Sequence, residues 1–327
     1  MKPSIILTFD YEIFFGKRSG TFENCIYKPV EALRKVMNKE GVKGVFFVDI
    51  LYYIKLLEYP ELSHDSDLMK EQIQSLIKDG HDIELHLHPH WINSYYEKGK
   101  WNFKYDKYRF EQLTLEERNV TFKRAVDSLV SIGKEVEKSY RIKGFRAGGW
   151  CIQPFETFLP YFKEYKLNYD SSVMSEIVIN TENHKVNFKN FPSNTIYRFS
   201  TKIDVEDKEG EFVEYKISNY DYSFLDKLKN KVYKLIYKNN IYGDGEAMTI
   251  KEFKESFLVF LLKKISTKKI NYSLDEEVIK KILLKKLNVE KKEVIVFISH
   301  PKSLSPKSIE FISKLKKLGY VIKKPNY

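Results

Sequence analysis

Short apolar runs alternate with longer amphipathic stretches through the first half of the chain. This rhythm restricts the fold more than any other feature. SIILTF (4–9), KGVFFVDI (43–50), HDIELHLH (81–88), IKGFRAGG (142–149) and NYDSSV (168–173) read as strands. Between them, helical periodicity runs over 28–41, with Pro29 near its start and Gly41 at its end, and over 65–80, closed by Gly80. It recurs over 114–133, opened by the capping box Thr114-x-x-Glu117, and over 154–165. Apolar strands separated by helices are parallel βαβ units covered on both faces. The rhythm returns at the far end, with a strand over 293–300, a helix over 305–319 and a last strand over 320–324. Such a succession allows a (β/α) barrel or a doubly wound sheet. From about 176 to 292 the rhythm breaks into strand-like runs with charged turns, followed by lysine-rich helical stretches near 223–239, 249–266 and 275–288. We read this as a mixed strand and helix insertion within one domain spanning 1–327.

Charge and composition narrow the function. The net charge of +11 invites a nucleic-acid reading. However, the lysines are spread along helical faces, as in IKKILLKKLNVEKKE (279–293), so no nucleic-acid partner is expected. No apolar run approaches a membrane span. The opening MKPSIILTFDYE is too short in its apolar part for a secretory leader, so the expected location is cytoplasmic. Cys25 and Cys151 are far apart and lack CxxC partners, which reads as two reduced thiols rather than a thiolate metal site.

In parallel α/β folds the working residues gather at the C-terminal ends of strands. Here those ends carry Asp10 and Glu12, then His86, His88 and His90, then Arg146, Asp170 and His300. Asp10 and Glu12 are two apart and point to one side of an extended strand. Two carboxylates there repel unless a cation or shared proton separates them, or they are simply a cap or surface pair. His86 and His90, with one carboxylate, would make a facial metal triad with open positions. The alternative is a hydrogen-bonded histidine cluster. A buried Arg146 needs a carboxylate, for which Asp10 is the candidate, in a working or purely structural pair. His300 is either a core histidine or a general acid.

The ordered set of motifs resembles the polysaccharide deacetylase family, the NodB-homology carbohydrate esterases of family 4. LTFDYE, GVFFV (44–48), HLHPH (86–90), FRAGGW (145–150), YDSSV (169–173) and ISHP (298–301) carry the resemblance, which covers about 1–173 and 293–324. The HLHPHW form is similar to deacetylase-like proteins of bacterial surface-glycan gene clusters. The resemblance implies a distorted (β/α) barrel of about seven parallel strands. It also implies a divalent metal, usually zinc, with manganese, cobalt, iron or nickel as alternatives. Glu12, His86 and His90 would hold the metal, Asp10 would act as general base and Arg146 would hold Asp10. Gly149 would supply an oxyanion N–H, and His300 would protonate the leaving nitrogen. His88 is expected on the same rim, bracing or touching substrate. Trp91 and Trp150 line the sugar side or pack beneath the mouth.

Three departures from the family pattern stand out. Asp10-Tyr11-Glu12 replaces adjacent aspartates, so the same-side Glu12 becomes the expected ligand. Leu87 stands where a Ser or Thr usually follows the first histidine, and the Arg146 motif lacks its usual prolines. The implied activity is metal-dependent hydrolysis of an N-acetyl or N-acyl group on a sugar of a surface polysaccharide or its precursor. The alternatives are hydrolysis of a non-sugar C–N bond and a non-catalytic glycan-binding or assembly role. His81 reads as structural, and Glu84, pointing inward, needs a partner that the sequence does not name.

Overall fold

The computed structural model describes residues 2–223, 225–226, 228–229, 240–248 and 268–326. In chain order the strands are β1 (Ser4–Tyr11), β2 (Val45–Asp49), β3 (Asp82–Leu87), β4 (Tyr95–Glu97), β5 (Lys100–Asn102), β6 (Gly144–Ala147) and β7 (Tyr169–Asp170). They continue with β8 (Val178–Asn180), β9 (Lys185–Asn187), β10 (Ile196–Phe199), β11 (Phe212–Tyr215), β12 (Asn219–Tyr222), β13 (Lys268–Asn271) and β14 (Val294–Ser299). Eight of them form one sheet in the order β10-β11-β7-β6-β3-β2-β1-β14, and the others pair as hairpins or two-stranded ribbons. Every neighbour in the large sheet is parallel except β10, which runs antiparallel to β11.

The sheet curls into a nearly closed barrel. The Ser218 N–H donates to the Val296 carbonyl of β14, and the Ile298 N–H donates to the Tyr272 carbonyl. On the other side the Ile217 N–H donates to the Val173 carbonyl just beyond β7. Residues 217–218 and 272 therefore bridge the gap between β14 and β7. Part of the 176–292 stretch is thus built into the barrel wall, through β10, β11 and this bridge.

Helices α1 (Lys28–Lys39), α2 (Ile50–Leu56), α3 (Ser63–Lys78), α4 (Leu115–Lys134), α5 (Leu159–Glu164), α6 (Lys280–Val289) and α7 (Pro306–Lys317) accompany the sheet. Apolar spacing explains their seating. α1 buries Val30, Leu33 and Met37, and α4 buries Phe122, Ala125, Val126, Leu129 and Ile132. Each fully buried large apolar side chain of this kind is worth roughly 1.5–3 kcal/mol. The Thr114 hydroxyl accepts from the Glu117 N–H, and the Glu117 carboxylate accepts from the Thr114 N–H, so the capping box forms.

Strand alternation sorts the two cores. Ile5, Leu7, Phe9 and Tyr11 of β1 face the main core, while Ile6 joins Val45, Phe47, Tyr169, Tyr215 and Val296 in a separate inner cluster. The same period carries Thr8, Asp10 and Glu12 inward above Ile6. Gly144 is required at the start of β6, because a Cβ there would lie 2.2 Å from the Tyr169 ring.

Several elements differ from the sequence expectation. The last strand shrinks to a single bridge, Ile5 with Ile322, on the edge of β1 that β2 leaves open before Thr8. The 168–173 strand keeps two residues, since Ser172 turns back to bond Asp170. Residues 275–279 do not join the helix that follows, because the chain from Tyr272 to Asp275 is held along the end of β14. The helical stretches expected near 223–239 and 249–266 lie essentially outside the described residues. Among the described residues, no helix is long and apolar enough to cross a membrane.

Candidate active site

At the C-terminal mouth of the barrel, β1 and β3 bring three ligand atoms together. Glu12 Oε2 lies 2.7 Å from His88 Nε2 and 3.2 Å from His86 Nε2, and the two imidazole nitrogens are 3.1 Å apart. Ligands about 2.0–2.2 Å from one ion stand roughly 3.0–3.4 Å from each other, so the 3.1 and 3.2 Å separations fit one face of a coordination shell, while the 2.7 Å pair is at hydrogen-bond distance. His86 Nδ1 lies 2.7 Å from the Arg146 carbonyl, the hydrogen bond that leaves Nε2 as the electron-pair donor. All three residues are buried. Donor type, spacing and tautomer therefore suit a divalent cation.

The histidine that completes this group is His88, whereas the sequence reading paired His86 with His90. Backbone direction explains the difference. His88 is still extended (φ −106°, ψ 95°), so β-alternation continues through it and turns its ring to the side of His86. Pro89 then starts a tight turn over Pro89–Ile92, which takes His90 into an aromatic cluster. The His90 ring stacks on Trp91 at 5.6 Å and on Tyr108 at 6.0 Å, with Phe15 edge-on at 4.7 Å. Neither of its nitrogens has a hydrogen-bond partner among the described residues. Burial, reinforced by His88, pushes its imidazole well below the ordinary range, so the ring is neutral.

One level down, Arg146 is 0% exposed and organises the floor. Its Nη1 donates to Asp10 Oδ1. Nε donates to the Ser171 carbonyl at 2.6 Å, and Nη2 donates to Thr8 Oγ1 at 2.9 Å and Ser171 Oγ at 2.8 Å. The guanidinium also lies over the Phe47 ring at 4.1 Å. A buried arginine is tolerable only with its donors used in this way. The other Asp10 oxygen faces His300 Nε2 at 3.7 Å.

His300 is held from behind by Asp275, which accepts from its backbone N–H at 2.8 Å and from Nδ1 at 2.9 Å. Burial lowers the His300 imidazole, but Asp275, and then Asp10, outweigh it and push it up to about 9. His300 therefore carries a proton at neutral pH, with Nε2 aimed toward Asp10.

Glu12 has a second partner. Lys302 Nζ donates to Glu12 Oε1 at 2.8 Å and to the Ile13 carbonyl at 2.7 Å. Burial alone would raise the Glu12 carboxyl; Lys302, His88 and His86 together hold it well below the usual carboxylate range. Asp49, beside His86 in the sheet, accepts from Trp91 Nε1 at 2.7 Å, and burial pushes its carboxyl up to about 6.

The Gly148-Gly149 turn forms one wall. A Cβ on Gly148 would lie 2.4 Å from the Leu87 carbonyl and 2.7 Å from His88 Nδ1, so no side chain fits. Gly149 adopts φ +57°, and its carbonyl lies 2.6 Å from His184 Nε2. Trp150 is partly exposed at this wall, near His184. Trp91, the other tryptophan expected beside substrate, is 1% exposed. Its faces are taken by His90 and Tyr52, which leaves it to packing. Glu84 finds its partners deeper in the barrel, accepting from the Lys143 and Gly144 N–H groups, with burial pushing it up to about 8. Cys25 and Cys151 are free and buried.

Sequence reasoning did not find Asp275, Lys302, Asp49 or His184 as neighbours of the site. Lys302 is one of many lysines and Asp275 fell within a stretch read as helical, so neither stood out.

No family model matches this chain, and no curated protein matches it. Solved structures with a similar course include a protein assigned to the polysaccharide deacetylases from Mycobacterium smegmatis (15% identity, TM-score 0.46, 99% of this chain and 87% of that one). Another is the catalytic domain of a peptidoglycan N-acetylglucosamine deacetylase from Eubacterium rectale (14%, TM-score 0.41, 100% and 90%). A third is BA3943 from Bacillus anthracis, a CE4 family pseudoenzyme (9%, TM-score 0.40, 98% and 63%). These solved structures include both deacetylases and a pseudoenzyme.

Proposed function

We propose that the protein is a metal-dependent hydrolase that removes an N-acetyl or N-acyl group from a sugar of a surface polysaccharide or its precursor. The observation that carries this reading is the facing of Asp10 and His300, 3.7 Å apart, beside the buried Glu12, His86 and His88. Hydrolysis of an amide needs a base for water and an acid for nitrogen, and these two groups have the separate partners such roles require. Arg146 fixes Asp10 so that one oxygen stays toward the mouth, where it can take a proton from water. His300, charged through Asp275, gives its proton to the departing nitrogen, which cannot leave as an anion. Glu12, His86 and His88 would hold the divalent ion, with zinc the first choice on donor type. Such an ion supplies polarisation of the acyl carbonyl and a lowered pKa for water. The partly exposed Trp150 offers a ring for a sugar face.

The test combines metal content with release of acetate or formate from N-acylated sugars. The expected result is activity that chelation abolishes and zinc, manganese or cobalt restores. Retention of full activity in His86→Ala, or protein that binds no divalent ion, would overturn the reading. Tight glycan binding without turnover at saturating metal would favour a non-catalytic role.

A further inference from the structure

Lys302 reaches back from the turn after His300 into the Glu12, His86 and His88 group. It is 7% exposed, and its Nζ lies 5.1 Å from the Phe14 ring and 5.2 Å from that of Phe15. The Glu12 carboxylate is thereby divided. Oε1 accepts from an ammonium at 2.8 Å, and only Oε2 turns to the imidazoles. We propose that Lys302 sets the charge of the metal group: it restricts Glu12 to one ligand oxygen and cancels its charge, so that a bound cation is held less tightly and stays more electrophilic. This rests on the reading of the three residues as a metal group.

Two effects oppose each other, and their sizes decide the sign. An ammonium and a divalent ion on opposite oxygens of one carboxylate repel in a buried, poorly screened setting. The brace, on the other hand, saves only the rotamer freedom of one buried glutamate. Repulsion is the larger, so removing the charge should tighten metal binding even though the brace is lost. It should also free Oε1 to join the coordination. A weaker but more electrophilic ion polarises an acyl oxygen better, which makes Lys302 a positioning residue for catalysis rather than one that meets substrate.

The experiment uses metal-stripped wild type, Lys302→Met and Lys302→Gln, titrated with zinc against a chromophoric chelator at fixed pH. Cobalt loading is followed by visible absorption. Methionine keeps the stem packed on Phe14 and Phe15; glutamine keeps a donor for Glu12 without the charge. Both variants should bind zinc at least about tenfold tighter than wild type. In Lys302→Met the cobalt bands should weaken as a further oxygen enters the coordination. Equal or weaker zinc binding in Lys302→Gln overturns the proposal whether or not Lys302→Met folds without metal. If none of the three proteins binds zinc or cobalt, the metal reading itself falls.

Discussion

Strands β1, β3 and β6 and the 272–302 stretch, whose strand β14 pairs directly with β1, both bring side chains to the barrel mouth, but from different kinds of backbone. On the strand side, Asp10, His86 and Arg146 sit on regular β backbone and Glu12 follows one residue after β1, and their direction follows from a period of two. On the other side, Asp275 and Lys302 arrive from irregular chain and act through specific bonds to His300 and Glu12. The strand side presents chemistry that any parallel barrel can present. The irregular side supplies the carboxylate against His300 and the ammonium against Glu12.

The sharpest way to break this comparison is to remove a strand group. Asp10→Asn should lower kcat/KM for N-acyl sugar hydrolysis by about 10³-fold, within the range for loss of a general base. In the same series His86→Ala and His88→Ala should lose bound metal while His90→Ala retains it, as measured by elemental analysis. Metal lost with His90 but kept without His88 would mean that the four-residue spacing prevails over strand alternation.

A smaller effect is expected from the irregular side. Asp275→Asn should cost about ten- to a hundredfold in kcat/KM, the usual loss for a residue that orients a working group. It should also move the alkaline limb of the pH profile. His300 is raised above its ordinary value, so its proton, and the stabilisation linked to it, is fully present below about pH 6.5 and lost as pH rises through about 9. Without Asp275 that limb should fall toward pH 6.5 or below. An unchanged limb near 9 would assign the proton elsewhere.

Two stability measurements complete the comparison. Arg146→Met leaves the Asp10 carboxylate buried without its ion pair, and denaturant unfolding should show a loss of about 3–5 kcal/mol. Thr114→Ala removes the α4 cap far from the mouth and should cost about 1 kcal/mol with no change in kcat/KM. A larger loss from Thr114 than from Arg146 would mean that the barrel interior is not where the stability resides.

What the sequence made legible follows the same division. The alternation of apolar runs and helices led to a parallel α/β fold, barrel or doubly wound sheet, between which the resemblance chose the barrel, and the two-residue step from Asp10 to Glu12 placed both on one side of the chain. Alternation alone includes His88 along with His86 and His90, whereas the four-residue spacing and the resemblance both select His86 with His90 and leave His88 out of the ligand set. The chain turns only at Pro89, and that is why alternation describes this backbone. Asp275 could not be read in advance, because its position depends on Tyr272 pairing with Ile298, a contact between distant segments that leaves no periodic trace. Lys302 was hidden by abundance. Only its burial and its bond to Glu12 separate it from the other lysines.

The barrel closes where residues 217–218 and 272 meet β14, and β14 itself lies against β1, the first strand of the chain. The pairs Asp10–His300 and Glu12–Lys302 each span 290 residues of sequence. Contacts of this kind carry the loop-closure cost of nearly the whole chain. During synthesis the first strands and their histidines emerge long before the segment that completes them. A nascent chain that has produced only β1 to β7 carries Glu12, His86 and His88 without Lys302, and Asp10 without His300. His300 and Lys302, which follow β14, therefore reach Asp10 and Glu12 only once β14 has taken its place beside β1.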